Sequence, residues 1–206
     1  MNFDELWQKI SEAIDPYDPA LESRIKFKSM HSGALYKGKW SVDSPEGDTL
    51  GFEATAVKQE KNLPHTSSPM NAFGVMFEAK GGETTLTGRA GAAAATVYNG
   101  IIIFIRKVMD DQANRGTPVE ALAFTAGEPS MLPVYERFVK MFLGDTFVRY
   151  DEKTLISKEA VERIRALSPE MSGDLDAQIA RAGEEQKRKV AEIRAQRAIL
   201  RGANPT

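Results

Sequence analysis

The pattern of apolar and polar residues changes period along the chain, and each period predicts a different kind of structure. Between residues 24 and 87 the two classes alternate over short runs, which segments containing Gly or Pro separate. This pattern is typical of β-strands joined by turns. The predicted strands lie near 24–29, 34–42, 49–58, 71–79 and 83–87. Before them, apolar residues at helical spacing predict a helix over 3–14, which the prolines that follow would end.

After residue 87 the pattern predicts helices that alternate with short strands. Residues 91–113 are apolar on nearly every side around Ile101–Ile105, as expected of a buried helix. The run "TPVEALAFTA" (117–126) predicts a strand covered on both faces. A second helix over 128–142 and a final strand over 145–151 complete this part. The sequence therefore predicts an α+β domain with antiparallel strands first and then one βαβ crossover, flanked by helices.

The last fifty residues differ again in character. Ser157 is placed to cap a helix that runs to residue 167, and a longer helix is predicted over about 174–201. Apolar residues are sparse in the longer helix, and residues 181–201 hold seven Lys or Arg against three Glu. We therefore interpret this helix as an appended arm outside the core, so that deleting residues from 174 onward should leave the domain folded.

These patterns predict a division of the chain into three parts. The parts are an N-terminal helix over 1–20, a main domain over 21–155 and a helical arm over 156–206.

Composition removes several classes of function. The formal net charge of −2 offers no large basic excess for phosphates, so no specific nucleic-acid partner is expected. The chain has no cysteine, which excludes disulfides, thiolate nucleophiles and zinc–thiolate sites. Its two histidines, His31 and His65, lie far apart, so no metal site is expected. The first residues are acidic and amphipathic, and no apolar run is long enough to span a bilayer, so we expect a soluble protein.

The stretch "TLTGRAGAAAATVYNG" (85–100) joins a predicted strand to the buried helix and admits two interpretations. The first backbone N–H groups of a helix have no intrahelical partner and carry partial positive charge, so small residues there let an anion approach. Alternatively, Gly88 and Gly91 only form the turn, and the alanines let the helix pack closely on the sheet. A lone Gly-rich loop does not decide between the two interpretations.

With this loop, the order of elements and the second helix "EPSMLPVYERFVKMF" (128–142), residues 49–151 resemble the GNAT-type N-acetyltransferases. The likeness is greatest to GNAT-like proteins of tailed phages. The resemblance implies that the acetyl-CoA pyrophosphate loop is formed by Gly88, Arg89, Gly91, Ala92 and Ala93.

The resemblance also implies candidate catalytic residues. Tyr135 matches the family's helix tyrosine, which protonates the leaving thiolate, and Glu78 or Glu128 would be the base that deprotonates the amine. The sequence departs from the family pattern at two points. Arg89 lies one position late in the loop, and the glycine that follows the helix tyrosine is missing.

Two functions follow, and the departures favour the first. The chain would be a GNAT-like phage protein with a degenerate acyl-CoA loop and no cofactor, a structural or assembly component associated with the virion. Its helix over 174–201 would bind other virion or assembly proteins or a second copy, first in the host cytoplasm and then in the virion. The alternative is an acetyl-CoA-dependent N-acyltransferase.

Overall fold

The computed structural model describes residues 19–43, 49–79, 94–124, 143–144 and 146–202, which adopt an α+β fold with a seven-stranded mixed sheet and a long C-terminal helix. The strand order in the sheet is β1-β2-β3-β4-β5-β7-β6. The elements in chain order are α1 (Pro19–Arg24), β1 (Lys26–Met30), β2 (Leu35–Asp43), β3 (Thr49–Asn62), β4 (Pro69–Ala79), α2 (Ala94–Asn114), β5 (Ala121–Phe124), β6 (Phe147–Arg149), β7 (Thr154–Ser157), α3 (Lys158–Leu167) and α4 (Ser172–Gly202).

The predicted α+β class is confirmed, and so are most of the predicted elements that fall on described residues. The four strands predicted between 24 and 79 correspond to β1–β4, and the helices predicted after residue 87 correspond to α2, α3 and α4. Ser157 caps α3 as predicted, since its hydroxyl accepts a hydrogen bond from the Ala160 amide. Three predicted elements lie outside the described residues: the helix over 3–14, the strand over 83–87 and the helix over 128–142.

Strand β7 is the one described strand that the sequence pattern does not predict. It lies between β5 and β6 in the sheet, and all four of its side chains are buried. A strand buried on both faces shows no alternation of apolar and polar residues, and this one is only four residues long and runs directly into the cap of α3. Its position in the sheet is therefore set by pairing with residues that are distant in sequence.

The described residues divide into two compact units. Unit 1 comprises the described residues up to Gln59 together with those of Phe73–Val119. Unit 2 comprises Glu60–Ala72 together with the described residues from Glu120 onward. Each unit has its own set of buried apolar side chains.

In unit 1, helix α2 packs on the core face of the sheet at very short range. A Cβ atom on Gly38 of β2 would lie 2.5 Å from Cδ2 of Phe104, and one on Gly100 of α2 would lie 2.4 Å from Cε2 of Trp40. Each glycine therefore provides the space that an aromatic ring of the facing element occupies. Because these rings and the residues around Ile101–Ile105 are buried, α2 is covered on nearly all sides, as its sequence predicts.

Unit 2 has a core built from the start of β4, the short strands β5 and β7, α3 and the first part of α4. Its buried members are Leu63, Met70, Ala72, Ala121, Ile156, Ala160, Val161, Ile164 and Leu175. Leu175 has no exposed surface, and Ile179, one turn further along α4, packs against the same cluster. The first turns of α4 thus belong to the core, and the interpretation of the whole helix as an appendage was wrong. A deletion from residue 174 onward would remove a core residue.

An ion pair with two further hydrogen-bonding groups joins α3 to the strands of unit 2. The Arg163 guanidinium contacts the Glu120 carboxylate at 2.6 Å and donates a hydrogen bond to the Pro69 carbonyl at 2.7 Å. The Glu120 carboxylate also accepts a hydrogen bond from the backbone N–H of Asn71 at 2.9 Å. Since Glu120 is mostly buried, these partners satisfy a carboxylate that would otherwise be costly to bury.

The close approach of α2 to the sheet predicts an unusual effect of a glycine substitution. Gly→Ala in a helix interior normally stabilises a protein by up to about 1 kcal/mol. We expect Gly100→Ala to destabilise instead, by about 1–3 kcal/mol, because the new methyl group overlaps the Trp40 ring. Urea unfolding followed by circular dichroism measures this change. Gly183→Ala in α4 is the matched control, because no atom lies within 4 Å of its Cβ position, and it should be stabilising. A stabilising Gly100→Ala would contradict the packing described here.

The burial of Leu175 predicts that α4 contributes to the stability of unit 2. Leu175→Ala should lower the free energy of unfolding by about 2–5 kcal/mol, through lost apolar burial and the cavity left behind. Leu167→Ala is the control, because Leu167 at the end of α3 is half exposed, and its effect should be below about 1 kcal/mol. If both substitutions had equally small effects, α4 would be an appendage after all.

Candidate functional site

Most of the residues that the resemblance to N-acetyltransferases implies for a site lie outside the described residues. These are the five loop residues Gly88, Arg89, Gly91, Ala92 and Ala93, together with Tyr135 and Glu128. Of the candidate residues only Glu78 is described. Its side chain is exposed on β4, and no hydrogen bond or ion pair joins it to another described residue. The acyl-CoA site thus remains a prediction from the sequence.

The candidate site that the described residues do present is helix α4. Its 31 residues correspond to a length of about 46 Å at the usual rise of an α-helix. The stripe of less exposed side chains that starts at Leu175 and Ile179 continues through the buried Gln186 and Val190 to the half-buried Ile193. Beyond Val190 the described side chains other than Ile193 are exposed. We call residues 191–202 the distal part of α4.

An ion pair joins the middle of α4 to the turn between β6 and β7, and a polar cleft lies beside it. The Lys189 ammonium lies 3.1 Å from the Glu152 carboxylate of the turn and 3.2 Å from Glu185 of the helix. These carboxylates, Glu152 first, raise the pKa of Lys189. Beside this contact is an open cleft of about 420 Å³, lined by Tyr150 and Asp151 of the turn and by residues of α4 that include Arg181.

Polar groups at and beside this cleft form hydrogen bonds within the turn between β6 and β7. The Asp151 carboxylate accepts hydrogen bonds at 2.8 Å from the amides of Lys153 and Thr154, and the Arg149 guanidinium donates to the Glu152 carbonyl at 3.1 Å. Burial raises the pKa of the Tyr150 hydroxyl, so this group is neutral at physiological pH. The arrangement fixes the helix relative to the turn, and it pairs no nucleophile with a general base.

The cations of α4 fall into two groups along the helix. In the middle, Lys187 pairs with Glu184 at 2.7 Å, and Arg188 lies 3.6 Å from Glu192. The distal part carries three arginines at positions 194, 197 and 201, which share one face at helical spacing. No acidic residue of the sequence lies three or four positions from any of them. In the same part of the helix, on the face opposite these positions, Ile199 is 70% exposed, the largest exposure among the described large apolar side chains.

A second polar cluster, in unit 1, joins the end of α2 to the turn between β1 and β2. The buried Tyr36 hydroxyl donates to the Asp111 carboxylate at 2.6 Å and accepts from the Gln112 amide at 2.6 Å. Arg115 contacts the same carboxylate at 2.7 Å, and Gln112 also donates to the Gly33 carbonyl at 2.9 Å. Burial and the Asp111 carboxylate raise the pKa of Tyr36. Every member of this cluster has a partner within unit 1, which indicates a structural role.

Neither cluster is evident from the sequence. Tyr36 and Asp111 are 75 positions apart, and Asp111 attracts attention only as one of two adjacent aspartates at a helix end. The basic character of the distal part of α4 is visible in the sequence, but the change from a buried to an exposed helix near residue 190 is not. That change depends on where the packed surface of unit 2 ends.

Further properties of the described residues limit the chemistry. Within the described ranges, every helix is too short or too polar to cross a bilayer. The described His, Asp and Glu side chains form no group of three that could hold a metal ion.

Comparison with known proteins adds no relative. No family model matches the chain, and neither the curated proteins nor the solved structures yield a match.

The Tyr36–Asp111 cluster predicts a specific dependence of stability on pH. Arg115 first, and then Tyr36, lower the pKa of Asp111 below its ordinary value of 3.8. The ionised carboxylate therefore stabilises the folded state above about pH 4, and this contribution is lost as the pH falls through the lowered pKa. Asp111→Asn should lower the free energy of unfolding at pH 7 by about 1–2 kcal/mol and reduce its loss in acid. Urea unfolding at a series of pH values measures both effects.

Asp110→Asn is the matched control, because the neighbouring Asp110 side chain is exposed and has no hydrogen bond or ion pair with a described residue. It should change neither the stability at pH 7 nor its acid dependence. Equal effects of the two substitutions would show that the cluster does not contribute to stability as described.

Proposed function

We propose that the protein is a structural or assembly component that binds another protein through the distal part of α4. The observation that carries the proposal is the division of this one helix. Its first turns are fixed in the core of unit 2, whereas the described side chains of its distal part other than Ile193 are exposed, and the sequence places three arginines there. A helix held in this way presents its end in a defined position without a further cost of ordering it on binding.

The composition of the distal part suits a protein surface. Arginine is enriched at protein interfaces, where its guanidinium can bind carboxylates in bidentate fashion. Arg194, Arg197 and Arg201 have no acidic residue at helical spacing to neutralise them, unlike Lys187 and Arg188. Ile199 lies about 200° round the helix from Arg197 and Arg201, on the opposite face, and adds exposed apolar area there.

The partner would therefore present carboxylates to the face that carries the three arginines. The resemblance to GNAT-like proteins of tailed phages supports a virion or an assembly intermediate as the setting, with an assembly protein or a second copy of the chain as the partner. In this proposal the GNAT-like fold is a scaffold with a degenerate acyl-CoA loop and no cofactor.

The N-acyltransferase alternative rests on the sequence motif, together with the buried helix α2 that directly follows the predicted loop. The melting temperature measured with and without acetyl-CoA distinguishes it from the scaffold proposal. If the chain bound acetyl-CoA, millimolar acetyl-CoA would raise the melting temperature of the folded protein by mass action.

Reversal of the distal charges is expected to abolish assembly and to leave the fold intact. The variant is Arg194→Glu/Arg197→Glu/Arg201→Glu in the full chain. It is produced in the cells in which the native protein is made. The native chain should sediment with particles or large complexes and be detected in them by mass spectrometry. The variant should sediment as a free protein with an unchanged melting temperature, because repulsion from an acidic partner replaces attraction.

The control is Lys61→Glu/Lys153→Glu/Lys158→Glu, which changes the net charge equally at exposed sites elsewhere in unit 2. It should assemble like the native chain. A native chain that is monomeric and absent from particles would contradict the proposal, as would normal assembly of the arginine variant. A monomeric native chain that acetyl-CoA stabilises would favour the acyltransferase.

A further inference from the structure

The outer face of the β1–β2 hairpin carries four lysines in a compact block. In the strand register, Lys26 lies opposite Lys39 and Lys28 lies opposite Lys37. Residues directly opposite in an antiparallel pair project from the same face, about 5 Å apart, and residues two apart on one strand are about 7 Å apart. We call Lys26, Lys28, Lys37 and Lys39 the lysine block. The intervening Phe27 projects to the other face, where its ring stacks on Tyr36.

Within the lysine block, only the two lysines of β2 contact a described carboxylate. Like charges directly opposite each other destabilise an antiparallel pair, so two Lys–Lys pairs need compensation. Glu53 of β3 lies opposite Lys39 in the register and contacts it at 2.7 Å, and the same carboxylate reaches Lys37 at 3.3 Å. Lys26 and Lys28 are exposed, and no described carboxylate lies within ion-pair distance of either.

The Glu53 contact shows how a neighbouring strand can satisfy two such lysines. A single carboxylate opposite one lysine bridges it to the next lysine on the same face. Lys26 and Lys28 have the same spacing on β1, and among the described strands β1 is the terminal one in the sheet order. A strand added at the outer edge of β1 would therefore place an Asp or Glu where it could bridge Lys26 and Lys28, as Glu53 bridges Lys37 and Lys39.

We propose that the edge of β1 binds an extended acidic segment of another protein, which adds to the sheet as a strand and carries carboxylates at alternate positions opposite Lys26 and Lys28. Strand addition of this kind obtains affinity from backbone hydrogen bonds and specificity from alternate side chains. Edge lysines repel basic strands and disfavour neutral ones, which offer their charges no partner, and here they make the edge selective for an acidic strand.

Two other occupants fit the face less well. A second copy that paired its own β1 with this edge would oppose lysines to lysines, which is repulsive. Single-stranded nucleic acid binds where aromatic side chains stack on its bases. On the described outer face of β1–β3, residues alternate with Phe27, Tyr36, Trp40 and Phe52 of the opposite face, and none that faces outward is aromatic. This surface belongs to unit 1, whereas α4 belongs to unit 2, so it would add a second contact to the proposed assembly role.

The test measures binding of short probes to the full chain by fluorescence anisotropy. The probes are a fluorescein-labelled peptide of alternating Thr and Glu, the same peptide with Gln in place of Glu, and an oligothymidylate. We expect the Glu peptide to bind at least about tenfold more tightly than the other two probes, and its affinity to fall as salt screens the charges. Equal or tighter binding of the Gln peptide or the oligothymidylate would overturn the proposal.

Variants locate the site. Lys26→Glu/Lys28→Glu should weaken binding of the Glu peptide at least about tenfold, and Lys26→Gln/Lys28→Gln should weaken it less. The control Lys58→Glu/Lys61→Glu reverses two exposed lysines of β3 and should leave the affinity within about twofold. Equal effects of the two reversals would overturn the assignment to β1.

A last comparison separates strand addition from simple charge attraction. A Glu peptide with N-methyl groups on alternate amides keeps its charges but cannot donate the backbone hydrogen bonds of one strand edge. Methylation in the register that faces β1 should reduce the affinity at least about tenfold. If the peptides methylated in either register bind as tightly as the parent peptide, the proposal of strand addition is overturned.

Discussion

The packing of α2 on the core face of the sheet is the contact on which unit 1 depends. Gly38 admits the Phe104 ring on one side of this contact, and Gly100 admits Trp40 on the other. Interiors packed at this density respond to a single added methyl group, because no neighbouring void can absorb it. The contact also brings the end of α2 to the β1–β2 turn, where Asp111 and Gln112 reach the buried Tyr36 hydroxyl.

In unit 2 the corresponding constraint is the burial of the first turns of α4. A polar helix of this length has little stability from intrinsic propensity alone, and tertiary packing supplies most of what it needs. Leu175 and Ile179 provide that packing, and Lys189 adds contacts to the β6–β7 turn. The helix is thereby fixed over its first half, and its distal part extends the same axis past the last buried residue. A component that must present a basic helix to a partner requires this kind of support.

Cations are distributed unevenly over the chain, although the net charge is only −2. Most described lysines and arginines of the middle of α4 have carboxylate partners, whereas no carboxylate among the described residues pairs with Lys26 or Lys28. Two opposed lysine pairs in neighbouring strands reduce stability unless a carboxylate compensates them, and Glu53 contacts only the β2 member of each pair. Net charge therefore describes solubility and long-range attraction, but the local arrangement decides which ligands each surface can bind.

The sequence by itself determined the α+β class, the four strands β1–β4, the buried helix α2 and the cap of α3 at Ser157, because each depends on local periodicity or on a capping side chain. It also showed that the end of α4 is basic. Tertiary structure alone decided that β7 lies inside the sheet between β5 and β6, that Leu175 is a core residue and that Tyr36 meets Asp111, since these contacts join residues far apart in the chain. The lysine block has the same origin, because strand register, which the alternation on each strand does not specify, sets Lys26 opposite Lys39. The implied acyl-CoA residues, from Gly88 to Ala93 and at Tyr135, remain predictions of the sequence.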